Sequence, residues 1–211
     1  MSDFPELPAH AFAKPDASPD PLFYAAPRFV HHIDDRAVAA VTALYRATFA
    51  PGGRLLDLMS SWVSHLPEDV AYGEVVGLGL NGAELDANPR LARRIVQDLN
   101  GEPALPLNAD GFDGAAVCVS VQYLQRPVSV FREVLRVLKA GAPLVATFSD
   151  RCFPTKAVAI WQAEGIDNAD LVALYLRRAG FEGVAAEQLL RRDRGGDPLW
   201  AVTGRKPGPA S

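Results

Sequence analysis

Between residues 54 and 148 the sequence alternates short, almost wholly apolar segments with segments of helical periodicity, and this alternation constrains the fold more than any other feature. Strands that are apolar on both faces are typical of a parallel sheet covered by helices on both sides. The sequence therefore predicts a doubly wound, Rossmann-like α/β fold. The predicted strands are residues 54–58, 74–78, a short one around 95–96, 114–120 and 143–148.

The C-terminal part of the sequence breaks this alternation. Helices are predicted at 128–139 and 169–179, where apolar residues recur at helical spacing. The two later strand candidates, 184–190 and 199–203, have only a turn-rich stretch between them. Such a pair predicts an antiparallel hairpin added to the sheet. We thus expect a mostly parallel, seven-stranded sheet with a terminal antiparallel hairpin.

The first 21 residues contain five prolines and show little apolar periodicity, which is typical of an irregular arm that either lies on the domain or stays mobile. A helix is expected to follow it, with Asp34 or Asp35 as the N-terminal cap. We expect four segments: an arm at 1–21, a helical lid or cap at 22–52, the main domain at 53–206 and a tail at 207–211.

Charge and hydropathy exclude several classes of partner. With 211 residues, of which 49% are apolar, the chain can bury one sizeable core. The net charge of −4 does not favour binding to nucleic acid or to an anionic membrane surface. No apolar run approaches the roughly 20 residues of a membrane helix, and the N-terminus does not have the pattern of a secretion signal. We therefore expect a cytoplasmic protein, monomeric or homodimeric, that binds neither nucleic acid nor membrane.

Short words between the predicted strands occur in a recognisable order. They are Leu55-Leu56-Asp57-Leu58, Gln97-Asp98-Leu99, Leu105-Pro106-Leu107, Gly111-Phe112-Asp113 and the run Val134-Leu135-Arg136-Val137-Leu138-Lys139-Ala140-Gly141-Ala142. In this order they resemble the class I S-adenosylmethionine-dependent methyltransferases of the type 11 kind, over about residues 53–206. The resemblance is specific because several short motifs occur in this order, and no single motif would identify the family.

The resemblance implies S-adenosyl-L-methionine as the cofactor and residues at strand ends as its contacts. Asp57 corresponds to the acid that ends the first strand of the family. Asp98 corresponds to the aspartate that meets the adenine amino group, and Leu99 to the apolar residue against the ring. Ser120, at the end of the fourth predicted strand, is expected to contact the cofactor as well.

Two departures from the family alter the predicted cofactor loop. The three glycines of the family are replaced by Met59, Ser61 and Val63. Because glycine lets backbone approach a ligand closely, the loop must follow a different path here. Gly79 stands where the family has the acid that accepts both ribose hydroxyls. Asn81, Ser60 and Ser61 could supply hydrogen bonds instead, and we expect them, with Met59 and Gly79, to contact the cofactor.

Three side chains that follow strands are candidate catalytic or substrate-binding groups. Transfer of a methyl group requires mainly alignment and exclusion of water, so few fixed groups are needed. His65 is either a base or substrate contact, or a packing group on the first turn of a helix. Tyr123 either contacts the substrate or belongs to the core. Arg151 either holds an anionic acceptor or forms a surface ion pair with Asp150.

The segment before the first long helix contains an aromatic and cationic cluster where many methyltransferases carry a lid over the acceptor pocket. The cluster consists of Phe23, Tyr24, Arg28, His31 and His32. We expect this segment to act as a lid. We predict no metal site, because the adjacent histidines have no third ligand at a metal-binding spacing.

These features predict a methyltransferase that acts on a small molecule, because the sequence shows neither an added recognition domain nor an excess of basic residues. The main alternative is a catalytically silent methyltransferase-like module that binds a partner or metabolite. A nicotinamide-dependent oxidoreductase is disfavoured, because no glycine-rich pyrophosphate turn follows the first strand.

Overall fold

The computed structural model describes residues 3–193 and 195–208, so part of the predicted tail at 207–211 lies outside the described residues. Seven strands form one sheet in the order β3-β2-β1-β4-β5-β7-β6. They are β1 (Arg54–Leu58), β2 (Glu74–Gly79), β3 (Arg93–Val96), β4 (Gly114–Cys118), β5 (Pro143–Phe148), β6 (Glu182–Leu190) and β7 (Leu199–Arg205). Strands β1 to β5 pair in parallel, and β7 runs antiparallel to both β5 and β6. The predicted fold class is confirmed.

Five α-helices are present in the described residues. They are α1 (Asp20–Phe23), α2 (Asp35–Thr48), α3 (Gly82–Ala87), α4 (Pro127–Val137) and α5 (Asn168–Ala179). Asp34 caps α2, since its side chain accepts a hydrogen bond from the Ala37 amide. Helix α3 stops at Asn88 because Pro89 follows, and a residue before proline avoids the helical conformation.

The two faces of the sheet are covered by different helices. Leu55 packs on the same side as Val41 and Tyr45 of α2. Leu56, the next residue of β1, packs on the other side with Phe131 of α4 and Tyr175 of α5. This alternation follows from the two-residue period of a strand, and it explains why the central strands are apolar throughout.

The loop after β1 differs from the expectation. Residues 59–73, which connect β1 to β2, contain no helix. The interpretation of His65 as a residue on the first turn of a helix is therefore wrong. The backbone of His65 has φ 52°, a left-handed conformation that cannot be part of a right-handed helix.

The N-terminal arm lies on the domain, which settles the alternative left open by the sequence. Phe4 is 1% exposed, and its ring stacks on Phe12 with the centroids 5.2 Å apart. Lys156, which is fully buried, binds the arm through the Ser18 carbonyl at 2.7 Å and the Asp16 carboxylate at 3.0 Å. The arm is thus part of the folded core and covers the edge where the parallel strands end.

Candidate active site

A cavity of about 340 Å³ lies at the carboxyl ends of the parallel strands, between the strand-end loops and the arm. This is where open α/β sheets bind ligands, and the volume is typical of small-molecule sites. Met59 and Trp62 line the cavity without filling it. All twelve predicted site residues line it: Asp57, Met59, Ser60, Ser61, His65, Gly79, Asn81, Asp98, Leu99, Ser120, Tyr123 and Arg151.

Backbone strain is concentrated around this cavity. Met59, His65 and Val119 line it and have φ values of 56°, 52° and 43°. A positive φ is uncommon outside glycine and is unfavourable for a β-branched residue such as valine. Met59 stands at the first of the three positions where the resemblance led us to expect glycine. The loop has therefore kept a glycine-like conformation although the glycine is absent.

Asp57 holds the loop after β1 in place through hydrogen bonds of its carboxylate. Its side chain is buried, and one carboxylate oxygen accepts hydrogen bonds from the hydroxyls of Ser60 and Ser64, each at 2.6 Å. Asn88, fully buried, donates its amide to the Ser64 hydroxyl at 2.9 Å. Burial raises the pKa of Asp57 to about 6, although the two hydroxyl bonds act in the opposite direction.

We expect the stability contribution of Asp57 to depend on pH. Its pKa rises from 3.8 to about 6 on folding, so the native state favours the protonated form. The free energy of unfolding should therefore decrease by about 2 kcal/mol, relative to Asp57→Asn, as pH rises from 4 to 7. Urea unfolding of both proteins across this range measures the difference. A difference that is independent of pH would contradict the assignment.

The structure explains why glycine occupies position 79. The Ser60 amide donates to the Leu78 carbonyl at 2.7 Å, which places the β1 loop across the end of β2. A Cβ atom added to Gly79 would lie well under 3.0 Å from the Ser60 carbonyl oxygen, closer than real Cβ contacts. Backbone therefore fills the place where the resemblance led us to expect a ribose-binding acid.

Glu84, which the sequence analysis missed, supplies a carboxylate to the same cavity. It lies in the first turn of α3 and is 8% exposed. Its two oxygens accept hydrogen bonds from the Ser61 hydroxyl at 2.6 Å and from the Arg28 amide at 2.7 Å. Among the described residues no lysine or arginine side chain pairs with it. The signal in the sequence is the spacing Asn81-x-x-Glu84, a helix-capping pattern directly after β2.

Asn81 lines the cavity, but its amide is engaged within the protein. The oxygen accepts from the Glu84 amide at 3.1 Å and so caps α3. The nitrogen donates to the carbonyls of Tyr24 and Ala25 at 2.8 and 3.1 Å. Asn81 therefore attaches the segment between the arm and α2 to the end of β2. The hydrogen bonds predicted for a ribose are used in this contact.

The residues predicted for the adenine end and the fourth strand lie on the cavity wall. Asp98 accepts a hydrogen bond from the Asn100 amide at 2.9 Å, which fixes the turn after β3. Leu99 is 5% exposed and presents an apolar surface. The Ser120 hydroxyl donates to the Cys118 carbonyl at 3.0 Å. These contacts keep the strand-end turns rigid around the cavity.

The three candidate catalytic residues differ in their surroundings. Burial, and then the nearby His31 and His32, lower the pKa of His65 to about 4, so its imidazole is neutral at pH 7. The Tyr123 hydroxyl accepts from the Phe153 amide at 2.9 Å, and burial raises its pKa to about 12. Of the three, only His65 has an unprotonated ring nitrogen at pH 7, and its lowered pKa makes that nitrogen a weak base.

Arg151 is more exposed than the other two candidates. Its side chain is 64% exposed, and its guanidinium lies 3.8 Å from the Asp197 carboxylate. The predicted alternative of an ion pair with Asp150 is wrong, because Asp150 pairs with Arg192 instead. Arg151 lies at the rim of the cavity with a weak ion pair.

Within residues 3–193 and 195–208, no group of three histidine, cysteine or acidic side chains is arranged to hold a metal ion. In the same residues, no helix is long and apolar enough to cross a bilayer.

Comparisons with known proteins agree with this geometry. Residues 60–146 match a family model described as a methyltransferase domain. No curated protein matches the chain. The crystal structure of the [4+2]-cyclase SpnF is similar with a TM-score of 0.66 and 20% identity, over 90% of this chain and 93% of that one.

Two methyltransferase structures share the same architecture. An S-adenosylmethionine-dependent methyltransferase from Mesorhizobium loti gives a TM-score of 0.57 at 19% identity, over 79% of this chain and 97% of that one. Phosphoethanolamine N-methyltransferase 2 from Haemonchus contortus, in complex with S-adenosyl-L-methionine, gives a TM-score of 0.59 at 13% identity. The match covers 80% of this chain and 52% of that one. At these identities the likeness establishes the fold, which is that of the class I methyltransferases.

Proposed function

We propose that this chain, which contains a methyltransferase domain on a class I methyltransferase fold, transfers a methyl group from S-adenosyl-L-methionine to a small molecule. The observation that carries the proposal is the cavity at the carboxyl ends of the strands, lined by strand-end residues of the types that bind this cofactor. The volume of the cavity, about 340 Å³, and the net charge of −4 support a small acceptor over a nucleic acid.

The residues of the cavity fit the cofactor. The Glu84 carboxylate lies in the cavity wall, 8% exposed and without a lysine or arginine partner among the described residues, so it can accept hydrogen bonds from the hydroxyls of a ligand. We assign Asp98 and Leu99 to the adenine end of the cofactor and Glu84 to its ribose hydroxyls. Ser120 and the loop above Asp57 are assigned to its amino-acid end. When bound, the cofactor supplies an electrophilic methyl group on a sulfonium.

The protein's own contribution is positioning, exclusion of water and acceptance of a proton. The aromatic rings of Tyr123 and Phe153, whose centroids are 6.1 Å apart, form an apolar wall on the β5 side. His65, neutral at pH 7, is the group we assign to accept a proton from an acceptor that binds protonated. Arg151 at the rim faces incoming acceptors.

The assignment of Glu84 gives a direct prediction. Glu84→Gln should weaken binding of S-adenosylhomocysteine by about tenfold to a hundredfold, because a charged acceptor for the ribose hydroxyls is lost. Asp86→Asn is the matched control, since Asp86 lies on the same helix with a side chain 78% exposed. Calorimetric titration of both variants measures the effect. Equal affinities for the two variants and the unaltered protein would exclude Glu84 from the ribose site.

Incubation with methyl-tritiated S-adenosylmethionine and a fractionated cell extract tests the reaction itself. We expect label in the fraction of low molecular weight and none above background in protein or nucleic acid. Labelled protein or nucleic acid would contradict the small-molecule assignment.

A catalytically silent binding module remains the second candidate, and specific observations favour it. The glycine loop is rebuilt with strained residues, and the structurally similar SpnF is described as a [4+2]-cyclase, so the fold alone does not determine the reaction. Binding of S-adenosylhomocysteine without transfer to any fraction would favour this candidate. For localisation and assembly we propose a cytoplasmic monomer or homodimer. Of the predicted lid at 22–52, residues 35–48 form α2 and pack on the sheet, so we propose only the segment before Asp34 as a lid.

A further inference from the structure

Arg28 places a guanidinium in the cavity without an acidic partner. Its guanidinium carbon lies 4.7 Å from the ring centroid of Phe23, 5.6 Å from that of Tyr24 and 5.4 Å from that of Phe153. Among the described residues no carboxylate forms an ion pair with it. A guanidinium that lines a cavity, packs on aromatic rings and has no carboxylate beside it is available to an anion from outside the chain.

The hydrogen-bond donors of Arg28 are mostly free. One terminal nitrogen donates to the Phe23 carbonyl at 2.9 Å, and the other makes a long bond of 3.4 Å to the Ala26 carbonyl. A guanidinium has about five N–H donors in a planar fork, so most of them have no acceptor among the described residues. The neighbouring Tyr24 adds a second donor, a buried hydroxyl without a partner.

The Arg28 guanidinium and the Tyr24 hydroxyl thus both have hydrogen-bond donors without an acceptor among the described residues. Burial holds the pKa of Tyr24 well above its usual value, so its hydroxyl stays protonated and can only gain by donating. An oxyanion such as a carboxylate accepts from a guanidinium fork and from a hydroxyl at once. The aromatic rings pack on Arg28 and lower the local dielectric constant on that side, which strengthens such a contact.

The location favours the methyl acceptor over the cofactor as the source of this carboxylate. Phe153, on which Arg28 packs, follows β5, and β5 is two places from β1 in the sheet. The loop assigned to the amino-acid end of the cofactor follows β1, where Asp57 lies. His32 also packs on Phe153, with the centroids 5.5 Å apart. Asn81 and Glu84 hold the backbone of Tyr24 and Arg28 at the end of β2. The two side chains extend from there toward Phe153 in the β5 half of the cavity.

We propose that Arg28 and Tyr24 form a subsite for a carboxylate on the methyl acceptor, and hence that the substrate is an anionic small molecule. This inference rests on the proposed function, because the cavity has an acceptor site only if the protein transfers a methyl group. It goes further in naming the charge of the substrate and the two residues that select it.

Matched pairs of acid and amide test the subsite on the full chain saturated with S-adenosylhomocysteine. The probes are 4-hydroxyphenylacetate and 3-phenylpropionate, each with its own primary amide, and binding is followed by calorimetry and ligand-observed NMR. We expect each acid to bind about tenfold tighter than its amide. Arg28→Met should remove this preference and leave the amides unchanged. Arg28→Lys should keep part of the preference for acids, because an ammonium retains the positive charge but not the planar pair of donors of the guanidinium.

Arg178→Met is the control, because Arg178 also stacks on an aromatic ring, Phe4 at 4.4 Å, but does not line the cavity. Absence of any preference for the acids in the unaltered protein would overturn the proposal. It would also be overturned if Arg28→Met weakened S-adenosylhomocysteine but not 5′-methylthioadenosine, which lacks the carboxylate, because Arg28 would then serve the cofactor. If the unaltered protein did not bind S-adenosylhomocysteine but still preferred the acids when titrated without it, the proposed function would be rejected. Arg28 and Tyr24 would then remain a carboxylate site.

Discussion

Replacement of Gly79 by aspartate, the kind of residue that class I methyltransferases have at this point, should destabilise the protein by about 3 kcal/mol. It should also weaken cofactor binding and not restore it. The added Cβ would collide with the Ser60 carbonyl oxygen, which is backbone and cannot rotate away, and would press on Leu85 at 3.2 Å. To relieve the collision, the β1 loop must leave the hydrogen bond between the Ser60 amide and the Leu78 carbonyl.

Urea unfolding and titration with S-adenosylhomocysteine measure both effects. Gly82→Ala is the matched control, because its added Cβ would meet only Val96, at 3.6 Å, an ordinary van der Waals distance. That change, in the first turn of α3, should shift stability by less than about 1 kcal/mol. If Gly79→Asp were as stable as the control and bound the cofactor more tightly, the loop would have to be mobile, and Glu84 would lose its assignment.

Lys156→Met should release the arm and cost about 3 kcal/mol of stability, because it removes a buried cation from between two carboxylates. Lys156 is 0% exposed, and its ammonium lies 3.0 Å from Asp16 and 3.5 Å from Asp20. Asp20 is itself 6% exposed and lines the cavity. We therefore expect weaker binding of S-adenosylhomocysteine and faster proteolysis of the arm in this variant.

Lys139→Met provides the comparison. Lys139 pairs with Asp113 at 2.7 Å, but both side chains are exposed, at 48% and 38%. Exposed ion pairs contribute at most about 1 kcal/mol, so this variant should unfold close to the unaltered protein. Equal losses for the two lysine variants would show that the arm is not held by its buried charges.

The fold could be predicted from the sequence because the strands are short, apolar and separated by helical segments. The bounds of β1 and β5 agree residue for residue with the prediction, since both strands are buried on two faces. The predicted site residues meet in one cavity for a related reason, which is that parallel strands end at the same edge of the sheet. The order of the strands along the sequence and the positions of their ends were sufficient to predict both the fold and the location of the site.

What could not be predicted depends on contacts between distant segments. The path of the β1 loop is set by the Ser60 carbonyl over Gly79 and by the hydroxyls of Ser60 and Ser64 on Asp57. Glu84 enters the cavity only because that loop brings Ser61 to it. The arm was predicted as irregular, and its order comes from contacts more than a hundred residues apart, such as Ser18 with Lys156. Local periodicity contains no information on such contacts.

The central claim is that the cavity between the rebuilt β1 loop and the arm holds an adenosyl cofactor. Calorimetric titration of S-adenosylhomocysteine into the full chain tests it most directly. We predict saturable one-to-one binding with a Kd of about 10 µM or tighter, together with a rise in Tm. No heat and no shift in Tm at millimolar ligand would contradict the claim and leave only the architecture established.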